Sequence, residues 1–193
     1  MPPKVRITKE DIVNVAIGLV RDNGVNSLNA RAVAAALGCS TQPVFSNFST
    51  MKELQLEVRR VLYRHYLDFL MQETKNEELP KYKAFGMAYI RFAKEEKEFF
   101  KLLFMCDRTG EDLSPTEDFE ESAKLIMNAN GVSIETARFM HLEIWAFVHG
   151  IAVMIATSFL TLDTSVISRM LTDAYKGICL RYTEDKNNDC NKA

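Results

Sequence analysis

The sequence predicts an all-α protein in which three short N-terminal helices of helix-turn-helix form join, through a long fourth helix, to a larger helical body. Three observations carry this. The 193 residues include only 8 Gly and 5 Pro, too few punctuators for a chain of many short strands. Apolar residues recur at three- and four-residue spacing through most of the chain, and no stretch alternates as a half-buried strand would. Capping residues stand immediately before these periodic segments, and Gly or Asn-Gly follows several of them.

Thr8 reads as the N-cap of a first helix whose apolar positions are Ile12, Ala16, Leu19 and Val20. Asp11 sits at its third position, where a carboxylate favours the helix start, and Asn23-Gly24 stops it. Asn29 caps a second helix, Ala30 to Leu37, whose inner residues are Val33, Ala34 and Leu37 and whose end is marked by Gly38. Ser40 or Thr41 starts a third. There Pro43 falls in the first turn, where its missing N–H would have no intrahelical partner. The four or so residues between the second and third helices, one of them glycine, match helix-turn-helix spacing. Thr50 caps a long amphipathic fourth helix through Leu54, Val58, Leu62, Tyr66 and Phe69 to about Glu73, and "KNEELPK" breaks it. Beyond come a helix pair in "YKAFGMAYIRFAKEEKEFFKLLFM", a polar loop, a helix in "FEESAKLIMNANG", and two long helices over Ser133–Leu160 and Ser165–Tyr182. Residues 184–193 read as a solvated tail.

A hydrophobic fraction of 47% with 26% charged residues suits an ordinary globular protein. The formal charge of −2 is unevenly spread. Residues 1–60 carry eight Lys and Arg against five acids, whereas the remaining 133 carry 16 against 21. A basic end on an acidic body suits a polyanion-binding terminus. Cys39, Cys106, Cys179 and Cys190 are far apart without a CxxC pair, so neither a zinc site nor a redox motif is expected. The opening "MPPKVRITKED" lacks the apolar core of a signal peptide. The apolar run Ile144–Leu162 contains His149, Gly150, Thr157, Ser158 and Thr161, which suits burial in protein, so no membrane partner is expected. His141 and His149 lack companions for a metal set. No nucleophile elbow, phosphate-binding glycine loop or paired-histidine motif occurs. No enzyme, cofactor or metal is expected.

The stretch "ITKEDIVNVAIGLVRDNGVNSLNARAVAAALGCSTQPVFSNFSTMKELQ" resembles the DNA-binding region of the TetR family of bacterial transcriptional regulators. The likeness rests on the helix ending in "NG", Val25 and Leu28 in the connection, "ARAVAAALG", the aromatic Phe45, Phe48 closing the third helix, and the capped fourth helix. It covers the first quarter of the chain closely and the helical remainder loosely. The chain has Phe45, Asn47 and Met51 where the family commonly has tyrosine, histidine and lysine. The resemblance implies a helix-turn-helix DNA-binding domain over 1–52, an effector-binding and dimerisation domain over 53–183, and the tail. It implies a cytoplasmic, dimeric regulator, with pseudo-palindromic duplex DNA as the expected operator and repression as the expected action.

Base contacts specify and phosphate contacts position, and the neutral third helix fits that division. Thr41, Gln42, Pro43, Ser46 and Asn47 are the expected base readers, Gln and Asn through adenine edges and Pro43 through thymine methyls. Lys4, Arg6, Lys9, Arg31, Ser40, Phe45 and Lys52 are expected to hold the backbone. A lone reader is poorly specific, so a symmetric homodimer is the mechanical expectation, with Ile144, Ile151, Ile155, Met170, Ala174 and Ile178 at its interface or in the protomer's own core. The resemblance further implies a cavity for a small apolar or amphipathic effector. The aromatic density at Phe85, Tyr89, Phe92, Phe100, Phe104 and Trp145, with His149 as polar anchor, is the place for it, or else simply core. The competing reading is an all-α ligand carrier or interaction protein that does not bind DNA.

Overall fold

The structure, a computed structural model, describes residues 7–75, 79–109 and 116–190. Lys4 and Arg6, two of the expected backbone contacts, lie outside the described residues. Among those described there are nine α-helices, one 3-10 turn and no strand. By internal packing the chain forms two units. The first takes in the chain to Phe69 together with Glu95–Cys106, the second Leu70–Lys94 together with the chain from Asp107.

In the first unit, α1 (Lys9–Asn23) starts on a complete capping box. Asp11 N–H donates to Thr8 Oγ1 at 3.1 Å, and the Asp11 carboxylate accepts from Thr8 N–H at 2.8 Å. Those bonds hold the Asp11 carboxyl below the usual carboxylate range. Gly24 ends the helix at φ +77°, a conformation that favours glycine, and its Cα faces the end of the Glu98 side chain. A 3-10 turn (Val25–Ser27) leads to α2 (Ala30–Ala36), α3 (Gln42–Asn47) and α4 (Met51–Glu73). Thr50 Oγ1 accepts from Glu53 N–H while the Glu53 carboxylate accepts from Ser49 N–H, which tethers the α4 start on both sides.

The core of this unit is Ile12, Ala16 and Val20 of α1, Val33 of α2, Val44 of α3, Phe48, and Leu54, Val58 and Leu62 of α4. The helix pair in "YKAFGMAYIRFAKEEKEFFKLLFM" is α5 (Lys81–Glu95) and α6 (Lys97–Phe104), and α6 belongs to the first unit. Its Phe99 and Phe100 are fully enclosed. The Arg21 guanidinium lies 4.7 Å from the Phe99 ring centre and 3.6 Å from Glu96, and the His65 ring meets Phe99 edge-on. Three short helices are too few for a core, and α4 and α6 complete it.

The second unit holds most of α5 with α7 (Glu117–Asn130), α8 (Ile134–Ala156) and α9 (Thr164–Cys190). Its core is Ala88, Ile90 and Phe92 of α5, Ala123 and Ile126 of α7, Met140, Ile144, Val148, Ile151 and Ile155 of α8, and Ile167 and Leu171 of α9. α8 stops four residues before the Leu160 expected from sequence. Ser158 adopts φ +57°, and Phe159 N–H turns back to Met154 C=O at 2.9 Å in a Schellman-type ending normally made by glycine. α9 runs to Cys190, where the sequence reading has a tail from 184. Glu184 and Lys186 are good helix formers, and a helix can continue on propensity and backbone bonds after its apolar stripe has ended.

If α6 is part of the core around the helix-turn-helix, removing the Phe99 ring leaves a cavity there. Phe99→Ala is expected to lower stability by about 3–5 kcal/mol, read as a shift of the urea midpoint at constant slope. A loss below about 1 kcal/mol would remove the ring from that core.

Candidate functional site

The first candidate surface is built on α2 and α3. Asn29 fixes the start of α2, its Oδ1 accepting from Ala32 N–H at 3.0 Å and its Nδ2 donating to Ser27 C=O at 3.1 Å. The left-handed Gly38, φ +65°, turns the chain out of α2, and Cys39 N–H closes the turn onto Ala34 C=O at 2.9 Å. α3 follows with Pro43 in its first turn, as the sequence implies. Thr41 stands at the N-cap position, but its backbone is helical and its hydroxyl makes no capping bond. The helix is held instead at its inner face by Val44, fully buried, and by Phe48, over whose ring Lys9 Nζ lies at 5.1 Å.

This anchoring leaves Gln42, Phe45 and Ser46 exposed on one side, with Thr41, Pro43 and Asn47 partly covered. Two of the expected readers are engaged within the helix. Ser46 Oγ donates to Gln42 C=O at 2.9 Å, and Asn47 Nδ2 donates to Pro43 C=O at 2.8 Å, leaving Asn47 its second amide proton and its carbonyl oxygen. Arg31 on α2, Ser40 in the turn before α3 and Lys52 on α4 are exposed. Lys9 is also exposed but lies 3.8 Å from Glu53.

The second candidate surface lies in the second unit. Tyr82 and Tyr89 are two turns apart on α5, and His141 and His149 two turns apart on α8. They pair as rungs, each tyrosine oxygen 2.8 Å from the histidine Nδ1. Phe119 packs edge-on to His141 at 4.5 Å, and Trp145 stacks on His149 at 5.0 Å with the rings 14° apart. Tyr175 packs against Tyr82, and its hydroxyl accepts from Asn130 Nδ2 at 2.8 Å. Burial pushes the Tyr82 phenol above its ordinary value. It pulls His141 down to about 4, against a small upward pull from the Asp118 carboxylate, and lowers His149 as well. Both imidazoles are therefore neutral at pH 7.

Of the expected effector residues, the structure brings Tyr89, Trp145 and His149 together. Phe92 is buried and Phe85 half-buried on α5, while Phe100 and Phe104 belong to the first unit, where they pack on each other and Phe104 meets Tyr66. Tyr82 and Tyr175 do not figure among the residues expected from sequence, and His141 figures there only as an incomplete metal ligand. The two-turn spacing of the tyrosines matches that of the histidines, a signal that was present. Among the described residues no cluster of three or more His, Cys, Asp or Glu is placed to hold a metal.

The expected interface residues also divide. Ile144, Ile151 and Ile155 are buried within the chain itself, and Met170, Ala174 and Ile178 are half-covered. The opposite face of α8 carries exposed Phe139, Leu142, Ala146 and Gly150, with Phe147 beside them. α9 exposes Val166 and Leu180, and Phe159 in the connection is 81% exposed. α8 is apolar on both sides and has the length and hydropathy of a membrane span, though nearly half of that window is buried.

No family model matches the chain, and no curated protein matches it in sequence. Solved structures do. A TetR-like transcriptional regulator from Rhodococcus sp. RHA1 is 12% identical, with a TM-score of 0.65 over 91% of this chain and 96% of that one. A protein of unknown function from the same organism is 17% identical, with a TM-score of 0.64 over 92% and 96%. A TetR family member from Streptomyces coelicolor A3 is 16% identical, with a TM-score of 0.58 over 86% and 96%. The likeness is one of fold: the chain has the all-α, TetR-like fold.

The depressed histidines make stability pH-dependent. The unfolded chain takes up a proton on His141 below about pH 6.5, whereas the folded one resists until about 4. Stability is expected to fall across that window as pH is lowered, by up to about 3 kcal/mol from His141. His141→Gln should flatten that part of the profile relative to wild type in urea titrations at successive pH values. An unchanged profile would contradict the buried neutral imidazole.

Proposed function

We propose that this TetR-like fold serves a sequence-specific, DNA-binding transcriptional regulator acting as a homodimer in the bacterial cytoplasm, a repressor released by a small apolar or amphipathic effector. The observation that carries the reading is the exposed, uncharged face of α3, presented by a buried Val44 and Phe48, with Arg31 of α2, Ser40 before α3 and Lys52 of α4 also exposed. Uncharged side chains on a helix bordered by cations are suited to base edges between phosphates.

The size of that helix supports a dimer. Six residues rise only about 9 Å, enough to cover roughly three base pairs, so useful specificity calls for two copies about 34–36 Å apart on the duplex. The exposed apolar face of α8 is the reading's choice of interface. Ala146 and Gly150 lie at its centre, and a Cβ on Gly150 would meet nothing within 4 Å, so a partner helix has room to approach closely. The effector is assigned to the Tyr89, His149 and Trp145 group, where polar atoms stand among aromatics. It can release DNA only through different affinities for the bound and free states. Lys9, Arg31, Ser40 and Lys52 hold phosphate in this reading. A carrier that does not bind DNA would show no salt-dependent retention on duplex.

Fluorescence anisotropy on a selected duplex and on random duplex separates reading from holding. Gln42→Ala is expected to cost about 1–3 kcal/mol on the selected site and little on random DNA, while Arg31→Ala weakens both alike and lowers the salt slope by about one. Equal losses for Gln42→Ala on both duplexes would remove it as a reader.

The interface is checked by sedimentation. Leu142→Glu places a charge on the exposed face without disturbing the protomer core and should yield a helical monomer with weakened binding to a two-half-site duplex. A variant that sediments as wild type would move the interface elsewhere.

A further inference from the structure

We infer that Phe45 is a base reader that recognises the C5-methyl group of a thymine, beside an adenine edge read by Gln42; this rests on the DNA-binding reading above. Phe45 is 50% exposed on a six-residue helix whose inward positions are filled by Val44 and Phe48. The neighbouring cation does not engage it, because Lys9 lies over Phe48 instead. Phe45 stands one turn from Gln42 and next to Ser46, so the ring lies on the same exposed side as the candidate readers.

The hydrogen bonds of α3 sharpen the assignment. The Ser46 hydroxyl proton and one of the two Asn47 amide protons are directed to the helix's own carbonyls. Gln42 is exposed, with an amide able to pair with adenine N6 and N7, and the half-exposed Phe45 ring stands beside it. In the major groove the one apolar mark a base pair offers is the thymine methyl. A phenyl ring has no hydroxyl to donate to phosphate, and placing it against an anionic oxygen would desolvate the oxygen with no hydrogen bond in return. Against a methyl group it removes apolar surface from water on both sides. Three residues of helix rise about 4.5 Å, a little more than one base step of 3.4 Å, so the two contacts fall on the same or adjacent steps of one half-site.

The test begins with duplexes selected by the full-length protein from a random pool, with thymines then replaced by uracil one position at a time. Uracil keeps every hydrogen-bonding group and lacks only the methyl. One position in each half-site is expected to lose about three- to tenfold in affinity on losing its methyl. In Phe45→Ala that thymine–uracil difference should vanish, with helical content and oligomeric state unchanged, because the ring is half exposed. Phe45→Tyr supplies the second arm. If the ring faces phosphate, the added hydroxyl should tighten binding to all sequences alike; if it faces the methyl, the thymine preference should persist without a general gain. No uracil-sensitive position, a sensitivity that survives Phe45→Ala, or a change of oligomeric state on Phe45→Ala would each overturn the assignment. Failure to enrich any duplex would overturn the DNA-binding reading itself, and enrichment without a methyl effect would overturn this inference alone.

Discussion

A helix of six residues cannot hold itself together in water, and α3 is such a helix. What keeps α3 in place is the burial of Val44 and Phe48 against a core assembled from elsewhere in the chain. The capping box at Thr8, the left-handed Gly24 against Glu98 and the doubly tethered start of α4 all serve that core. So does α6, which comes from the middle of the chain and closes the unit with Phe99 and Phe100. The polar outer face of α3 is free to vary because the inner face already determines its position.

That arrangement separates stability from specificity. Phe48 and Phe45 are three residues apart and chemically identical, yet one is fully enclosed and the other half exposed. Phe45 lies within α3, whereas Phe48 follows it with an extended backbone, and only Phe48 is enclosed in the core. Ser46 and Asn47 are expected readers by residue type, but each directs a side-chain proton back to a carbonyl in the first turn of the same helix. The apolar Phe45 ring stays exposed beside them.

The second unit handles polarity differently. It holds two part-buried tyrosine–histidine rungs in an apolar helix bundle, and burial lowers both imidazoles. The phenol satisfies the imidazole, so the polar pair adds no unpaired atom to the interior. α8 supplies the histidines from one flank, core isoleucines from another and exposed aromatics from a third, which is why its sequence is apolar throughout.

Local chemistry accounts for what was legible in the amino-acid order. Caps at Thr8, Asn29 and Thr50, the proline in the first turn of α3 and the glycines at 24 and 38 depend on near neighbours, so their roles and the order of the helices followed from sequence, as did the TetR-like fold. The start of α9 followed too, but its end at Cys190 did not, because no apolar stripe marks a helix continued by backbone bonds. Assignments that need partners distant in the chain escaped. Ile144, Ile151 and Ile155 share the apolar character of Phe139 and Leu142, and only the packing of α8 shows which side faces inward. Phe100 and Phe104 resemble Phe85 and Phe92 in composition and spacing, yet they belong to different units. Periodicity states that a helix has an apolar face, whereas the tertiary structure chooses what covers it, because burial is a property of the contacts and not of the residue.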